Sequence, residues 1–207
     1  MTTNLQFLAA CLMISVGAGF TAVAAVATDS APDVTVRSTV EEVLTVIRQN
    51  NDKRTLRDLT EQKVLPHFDF KHMTQLAVGR SWRDATPAQQ QALEKSFRAL
   101  LVNTYSTALV ISASGADTVE VKPLQLSANQ DEVTVKTTVK DSGKQPIAID
   151  YRMAKSADGW KVFDVVIENL SLVTNYRGSF ASEIARSGID GLIKVLEEKN
   201  RTLSKRV

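Results

Sequence analysis

The fold is decided by the segment Asp117–Ile167, which reads DTVEVKPLQLSANQDEVTVKTTVKDSGKQPIAIDYRMAKSADGWKVFDVVI. Apolar residues alternate with polar ones along this segment, and a period of two is typical of strands that bury one face. Turn-forming pairs at residues 128–129, 142–143 and 158–159 divide the segment into four runs. Because such short connections join neighbouring antiparallel strands, the segment predicts a four-stranded antiparallel meander.

On both sides of this segment the apolar residues change to the spacing of amphipathic helices. Pro66 should end one of these helices near Leu65, and Thr86, Pro87 and Gln89 form a capping box that should begin a long helix of about 24 residues. The expected helices cover residues 34–50, about 56–65, 70–77, 87 to about 110, 171–186 and 189 to about 204.

Helices followed by a meander and then by more helices predict an α+β domain. We expect the helices to pack on one face of a curved four-stranded sheet, as in NTF2-like domains, with an apolar cavity between the sheet and the helices. Residues 28–207 have the length of one domain with a sizeable core.

The first 27 residues contain no charged residue and consist largely of an apolar run. Ala25-Val26-Ala27 has the small-x-small pattern of a signal peptidase site, so residues 1–27 are interpreted as a cleaved signal peptide. A membrane anchor is the alternative, but the run is rich in Gly and Ala. The only cysteine, Cys11, falls within this leader, and its resemblance to a lipoprotein cleavage box is interpreted as coincidence.

The charge pattern and the motifs argue against several functions. A net charge of +2 is too weak and too scattered for a nucleic-acid interface. His67, Asp69 and His72 could suggest a metal site, but five residues separate the histidines and Pro66 interrupts any helix there, so no metal is predicted. No nucleophile elbow or phosphate-binding loop is present.

One catalytic interpretation stays open at this point. Asp164 interrupts an otherwise apolar strand and could face inward as the acid or base of an isomerase-like enzyme. The alternative is that Asp164 pairs with an arginine or caps a turn at the sheet edge, which we favour.

Several motifs cover most of the mature chain, and they are LPHFDF at 65–70, LAVGRSWRDATPAQ at 76–89, FRALL at 97–101, GWKVFDV at 159–165, SLVTNYR at 171–177 and GIDGLI at 188–193. Taken together and in this order, they resemble the MlaC or toluene-tolerance family of periplasmic phospholipid-binding proteins. Asn169-Leu170 departs from the Gly-Val common in that family, but asparagine tolerates a left-handed backbone.

The resemblance implies a monomeric carrier in the periplasm that maintains the lipid asymmetry of the outer membrane. Its partners would be the substrate-binding subunit of an inner-membrane ABC transporter and an outer-membrane lipoprotein associated with a porin. A bound phospholipid would be cargo, and the carrier would need no cofactor or metal and would not be an enzyme. An isomerase-like enzyme and a protein-only adaptor remain alternatives.

A phospholipid carrier needs a deep apolar slot with a polar mouth, at or beyond the upper end of the usual 300–1,000 Å³ range. The same apolar residues could instead form an ordinary core. The predicted lining residues are Phe97, Leu101, Tyr105 and Leu109 on the long helix and Val133, Val135, Val139, Ile147, Ile149, Tyr151 and Met153 on the sheet. Arg80, Trp82, Arg83 and Arg98 are expected at the pocket mouth, where the arginines would dock acidic partner surfaces.

Overall fold

Five antiparallel strands form the sheet in the computed structural model, and they follow one another in the order β1-β2-β3-β4-β5. The structure describes residues 30–49, 52, 55, 58–115, 118–127, 129–141 and 143–205, and of residues 106–115 it describes the backbone. The predicted leader, residues 1–27, lies outside the described residues. The strands are β1 (Thr118–Val121), β2 (Glu132–Lys140), β3 (Ile147–Ser156), β4 (Gly159–Ile167) and β5 (Leu170–Ser171).

The alternating pattern correctly predicted the first four strands, but it missed β5. This strand has two residues, too few for a period of two to be visible. It pairs with β4 because Glu168 and Asn169 both adopt positive φ, 48° and 67°, and so form the tight turn that antiparallel strands favour. Asn169 therefore accepts the left-handed backbone expected of it.

A β-bulge changes the side of the sheet on which β4 presents its residues. Arg152 lies opposite Asp164 while Met153 lies opposite Val162, so Phe163 is an extra residue in β4. A bulge interrupts the alternation of the two faces and strengthens the local twist of the sheet. Phe163 and Asp164 consequently both turn away from the face that carries Val162.

The helical elements broadly match the sequence prediction. The helix α3 is 29 residues long and extends beyond the predicted end near Val110, because residues 111–115 continue as helix. The helices whose bounds the structure describes are α1 (Pro32–Gln49), α2 (Phe70–Val78), α3 (Pro87–Gly115) and α4 (Leu172–Ser204). Residues 55, 58 and 59 are also helical, and short helical turns lie at Thr60–Val64, Leu65–His67 and Gly79–Trp82.

Local hydrogen bonds explain where two of the helices begin. In the capping box of α3 the backbone N–H of Thr86 donates to Gln89 Oε1 at 2.9 Å, and the N–H of Gln89 donates to Thr86 Oγ1 at 3.3 Å. At α2 the N–H of His72 donates to Asp69 Oδ1 at 2.8 Å. Asp69 therefore acts as a helix cap.

The chain around Pro66 differs from the predicted helix end. Leu65–His67 form a 3₁₀ turn that includes Pro66, since proline is tolerated in a first turn. The next residue, Phe68, is extended and bridges to Val162 at the free side of β4. The backbone N–H of Asp69 donates to the Val162 carbonyl at 2.9 Å, so this segment is attached to the sheet.

The buried apolar residues form two clusters that meet at β4. The helix cluster contains residues of α2, α3 and α4 and includes Phe163, and the sheet cluster joins α1 to β1–β4 and includes Val162. Val162 and Phe163 are adjacent in β4 but belong to different clusters, because their side chains point to opposite faces of the sheet.

Asp164 is 1% exposed and does not face the cavity described below. Its Oδ2 accepts a hydrogen bond from Ser171 Oγ at 2.7 Å, its Oδ1 accepts one from the Val173 N–H at 3.2 Å, and Arg152 Nη1 lies 3.6 Å from Oδ2. This carboxylate satisfies donors at the start of α4 and lies near an arginine. The geometry therefore supports the interpretation that Asp164 has a structural role beside an arginine, and it does not support an acid or base that faces inward.

The long helical segment α4 bends at Gly188, which has φ 72° and ψ −177°. This break separates the two helices that the sequence predicted on either side of it. Backbone with these angles is accessible almost only to glycine.

We therefore expect Gly188→Ala to lower the free energy of unfolding by about 1–3 kcal/mol, the cost of a strained backbone. Apart from its chain neighbours and the nearby backbone of its own helix, nothing lies within 4 Å of a Cβ built at Gly188, so the backbone angles are the cause. Gly178→Ala is the matched control, since this glycine has equal space but ordinary helical angles, and that change should stabilise the protein by up to about 1 kcal/mol. Urea unfolding measures both, and equal effects of the two substitutions would contradict the prediction.

Candidate functional site

A cavity of about 310 Å³ lies between one face of the sheet, α1, α3 and the turns that connect α1 to α2. Most of its walls are aliphatic or aromatic. The apolar lining residues are Val36, Val40, Val43, Leu44, Val64, Leu65, Phe68, Phe70, Met73, Leu101, Val102, Val119, Val139, Ile147, Ile149, Met153, Val162, Val165, Ile167 and Leu172.

The register of the sheet explains why these strands form one apolar wall. Val139 lies opposite Ile147, and Ile149 lies opposite Ile167, so each pair presents its side chains on the same face. The bulge in β4 then keeps Val165 on the cavity side as well. The wall is therefore continuous across β2, β3 and β4.

Polar contacts hold α1 over this wall. Arg37 Nη2 donates to the Val121 carbonyl at 2.9 Å, and the Leu124 N–H donates to Asp33 Oδ2 at 3.3 Å. These bonds attach the first turns of α1 to β1 and the loop after it. The helix is thereby positioned across the sheet, with the cavity beneath it.

The few polar lining groups are adapted to apolar surroundings. Burial raises the pKa of Tyr151 to about 12, so this phenol stays neutral. Burial, and then the nearby Lys161 ammonium, lower the pKa of His67, which favours its uncharged form at neutral pH. Thr39 Oγ1 donates to the Thr35 carbonyl at 2.9 Å and is satisfied within α1. The cavity surface thus carries little charge.

The volume is at the lower end of the range for ligand pockets, and the expectation of the upper end was wrong for this structure. Four aromatic side chains line the cavity, namely Phe68, Phe70, Tyr105 and Tyr151, and their bulk reduces the free space.

Exposure along β3 shows where the cavity opens. On the cavity face Met153 is 0% exposed, Ile149 is 8% exposed and Ile147 is 38% exposed. Among the described lining residues, Ile147 alone falls in the exposed class. The closed end therefore lies near Met153, and the open end lies near the connection between β2 and β3.

Seven of the predicted residues do line the cavity, namely Leu101, Tyr105, Val139, Ile147, Ile149, Tyr151 and Met153. Phe97 lies instead in the helix cluster, where its ring contacts Tyr176 and Phe180 edge-on with centroid separations of 5.2 Å. Val133 and Val135 are buried in the sheet cluster. The side chain of Leu109 lies outside the described residues.

The sequence reasoning did not assign α1, the turn at residues 64–68 or β4 to the cavity. Their apolar patterns were recognised as helix and strand faces. An apolar face does not, however, reveal whether it meets another element or borders open space, so no local signal distinguished these residues from the core.

None of the four residues expected at the mouth lines the cavity. Trp82 is buried in the helix cluster, whereas Arg80 and Arg83 are exposed in the connection from α2 to α3. Arg98 Nη2 lies 2.6 Å from Glu61 Oε2, and its guanidinium lies 5.5 Å from the ring centroid of Phe70. Arg98 thus contacts the cavity wall through Phe70.

The described residues also bear on metal binding and on membrane insertion. In the described part of the chain no three His, Cys, Asp or Glu side chains are grouped so that they could hold a metal ion. Of the helices that the structure describes, none has both the length and the hydropathy needed to cross a bilayer.

Comparison with known proteins identifies the family. The family model described as MlaC protein matches residues 37–198. The intermembrane phospholipid transport system binding protein MlaC of Haemophilus influenzae is 18% identical over 178 residues, which cover 82% of each chain. A phospholipid-binding protein from Ralstonia solanacearum, solved in complex with a phospholipid, is 38% identical with a TM-score of 0.75 and covers 84% of this chain and 99% of its own.

The match spans most of the chain, and the matched region includes the elements that enclose the apolar cavity. The α+β architecture predicted from the order of helices and strands is also confirmed. This chain belongs to the MlaC family of phospholipid-binding transport proteins.

Proposed function

We propose that this protein is a periplasmic carrier that holds a phospholipid by its acyl chains and moves it between the inner and outer membranes. The observation that carries the proposal is the apolar cavity, which is open at one end and bordered by a sheet face and two helices. The 38% identical Ralstonia protein, solved with a phospholipid, supports the choice of ligand.

The physical need for a carrier is large. About 30 acyl methylenes exposed to water cost roughly 24 kcal/mol at about 0.8 kcal/mol each. An apolar cavity with one open end can cover the chains while the charged head remains in water, where its solvation is retained. We propose that Leu101, Tyr105, Val139, Ile147, Ile149, Tyr151 and Met153 contact the acyl chains.

Export of the protein comes first in this proposal. Residues 1–27 direct export and are removed, leaving residues 28–207 as one domain in the periplasm.

The proposed transport route has three protein components. The carrier exchanges lipid with the substrate-binding subunit of an inner-membrane ABC transporter and with an outer-membrane lipoprotein–porin complex. It thereby maintains the asymmetry of the outer membrane and acts as a monomer that carries cargo without a catalytic step.

The first test is mass spectrometry of organic extracts from the purified protein. We expect phospholipid in near one-to-one amounts with the wild type and several-fold less with Val43→Trp, because Val43 lines the cavity and an indole there fills it. Val195→Trp is the matched control, since this valine is exposed on α4. A wild type without extractable phospholipid, although correctly folded by circular dichroism, would refute the carrier function.

Arg80 and Arg83 are the remaining candidates for docking acidic partner surfaces, since Arg98 already pairs with Glu61. We expect Arg80→Glu with Arg83→Glu to slow association with the transporter subunit and the lipoprotein complex by about tenfold at low salt, because exposed charges act mainly on the encounter rate. Lys194→Glu with Lys199→Glu on α4 changes the net charge equally and serves as the control in surface plasmon resonance. Equal association rates for both double variants would exclude this docking site.

A further inference from the structure

The turn between β4 and β5 presents a leucine to solvent beside the open end of the cavity. Leu170 is 73% exposed, more than any other large apolar residue in the described part of the chain. It lies opposite Ile167 in the ladder, so both side chains emerge on the same face of the sheet. Ile167 lines the cavity, and Leu170 therefore extends the cavity wall to the outside.

Other residues extend the same wall. Leu172, two residues after Leu170 in the chain, lines the cavity. Ile147, the first residue of β3, is the exposed lining residue. The apolar surface thus passes from the interior at Ile167 and Leu172 to the exterior at Leu170. An isolated surface leucine needs no explanation, but one that continues a ligand cavity does.

The backbone holds Leu170 in this position from both sides. Before it, Glu168 is bonded twice to Ala148: its N–H donates to the Ala148 carbonyl at 3.0 Å, and its Oε1 accepts from the Ala148 N–H at 2.5 Å. After it, Ser171 donates to the buried Asp164. The exposed leucine is therefore part of a fixed turn whose two residues with positive φ are both non-glycine. Such a conformation persists only where surrounding contacts impose it.

We propose that Leu170, together with Ile147, forms an apolar lip over which acyl chains enter and leave the cavity. This inference rests on the proposed carrier function. A chain that is partly withdrawn exposes methylenes to water, and an apolar side chain at the mouth covers some of them at that moment. The lip lowers the activation free energy of lipid entry and of lipid exit equally, because both processes pass through the state in which the acyl chain is partly withdrawn. It has little effect on the lipid that is fully bound.

The test measures the rate of lipid transfer separately from the affinity of the protein for lipid. Full-length mature protein carrying a fluorescent phosphatidylethanolamine is mixed with phosphatidylcholine vesicles, and transfer is followed in both directions by dequenching. We expect Leu170→Ser to slow entry and exit by the same factor, about fourfold for each methylene left uncovered, which corresponds to about 0.8 kcal/mol per methylene. The partition of lipid between protein and vesicles should stay unchanged, and Leu170→Met should retain the wild-type rates.

Leu126→Ser is the matched control, because Leu126 is also an exposed leucine at 43% but does not line or border the cavity. If Leu170→Ser carries lipid and transfers it at the wild-type rate, the lip is refuted and the carrier function stands. A changed partition with an unchanged entry rate would also refute the lip, since Leu170 would then bind the resident lipid. If the wild type takes up no lipid, the carrier function itself fails.

Discussion

The β-bulge at Phe163 in β4 determines where both buried clusters, the cavity and α4 lie relative to the sheet. Strict alternation after Val162 would turn Asp164 toward the cavity, because residues two apart share a face. The bulge at Phe163 prevents this and directs Phe163 and Asp164 to the reverse side. Phe163 then packs in the helix cluster, and the Asp164 carboxylate accepts hydrogen bonds at the start of α4. The cavity wall consequently stays apolar along β4.

The cavity exists because its walls are fixed by contacts made elsewhere. Bonds from Arg37 and Asp33 attach α1 to β1 and the following loop, and the Phe68 segment is attached to Val162 of β4. The helix cluster separately fixes the start of α3. With the walls held apart in this way, apolar side chains border open space that a close-packed core would fill. An apolar ligand chain can occupy such a space without breaking a hydrogen bond.

Much of the fold could be predicted from local patterns, and the site could be predicted only in part. The periodicity located the first four strands, and the capping box located the start of α3. Phe97, Leu101, Val135 and Ile149 all belong to the core clusters, yet only Leu101 and Ile149 also line the cavity. Periodicity reports which face is buried, but it does not report what lies opposite. The less favoured interpretation, in which Asp164 faces inward, is wrong because a bulge without a local signature turns this residue to the other side of the sheet.

Local patterns in the chain specify the main helices and the first four strands, the motifs of the family and the lack of a nucleophile elbow or phosphate loop, because each of these depends on nearby residues. Which apolar faces meet and which enclose space depends on the folded arrangement, which also places the open end at Ile147 beside the exposed Leu170. The physical reason is that strand register, a bulge and a positive-φ turn combine residues far apart in the chain. Their joint effect on a cavity cannot be derived from any one segment.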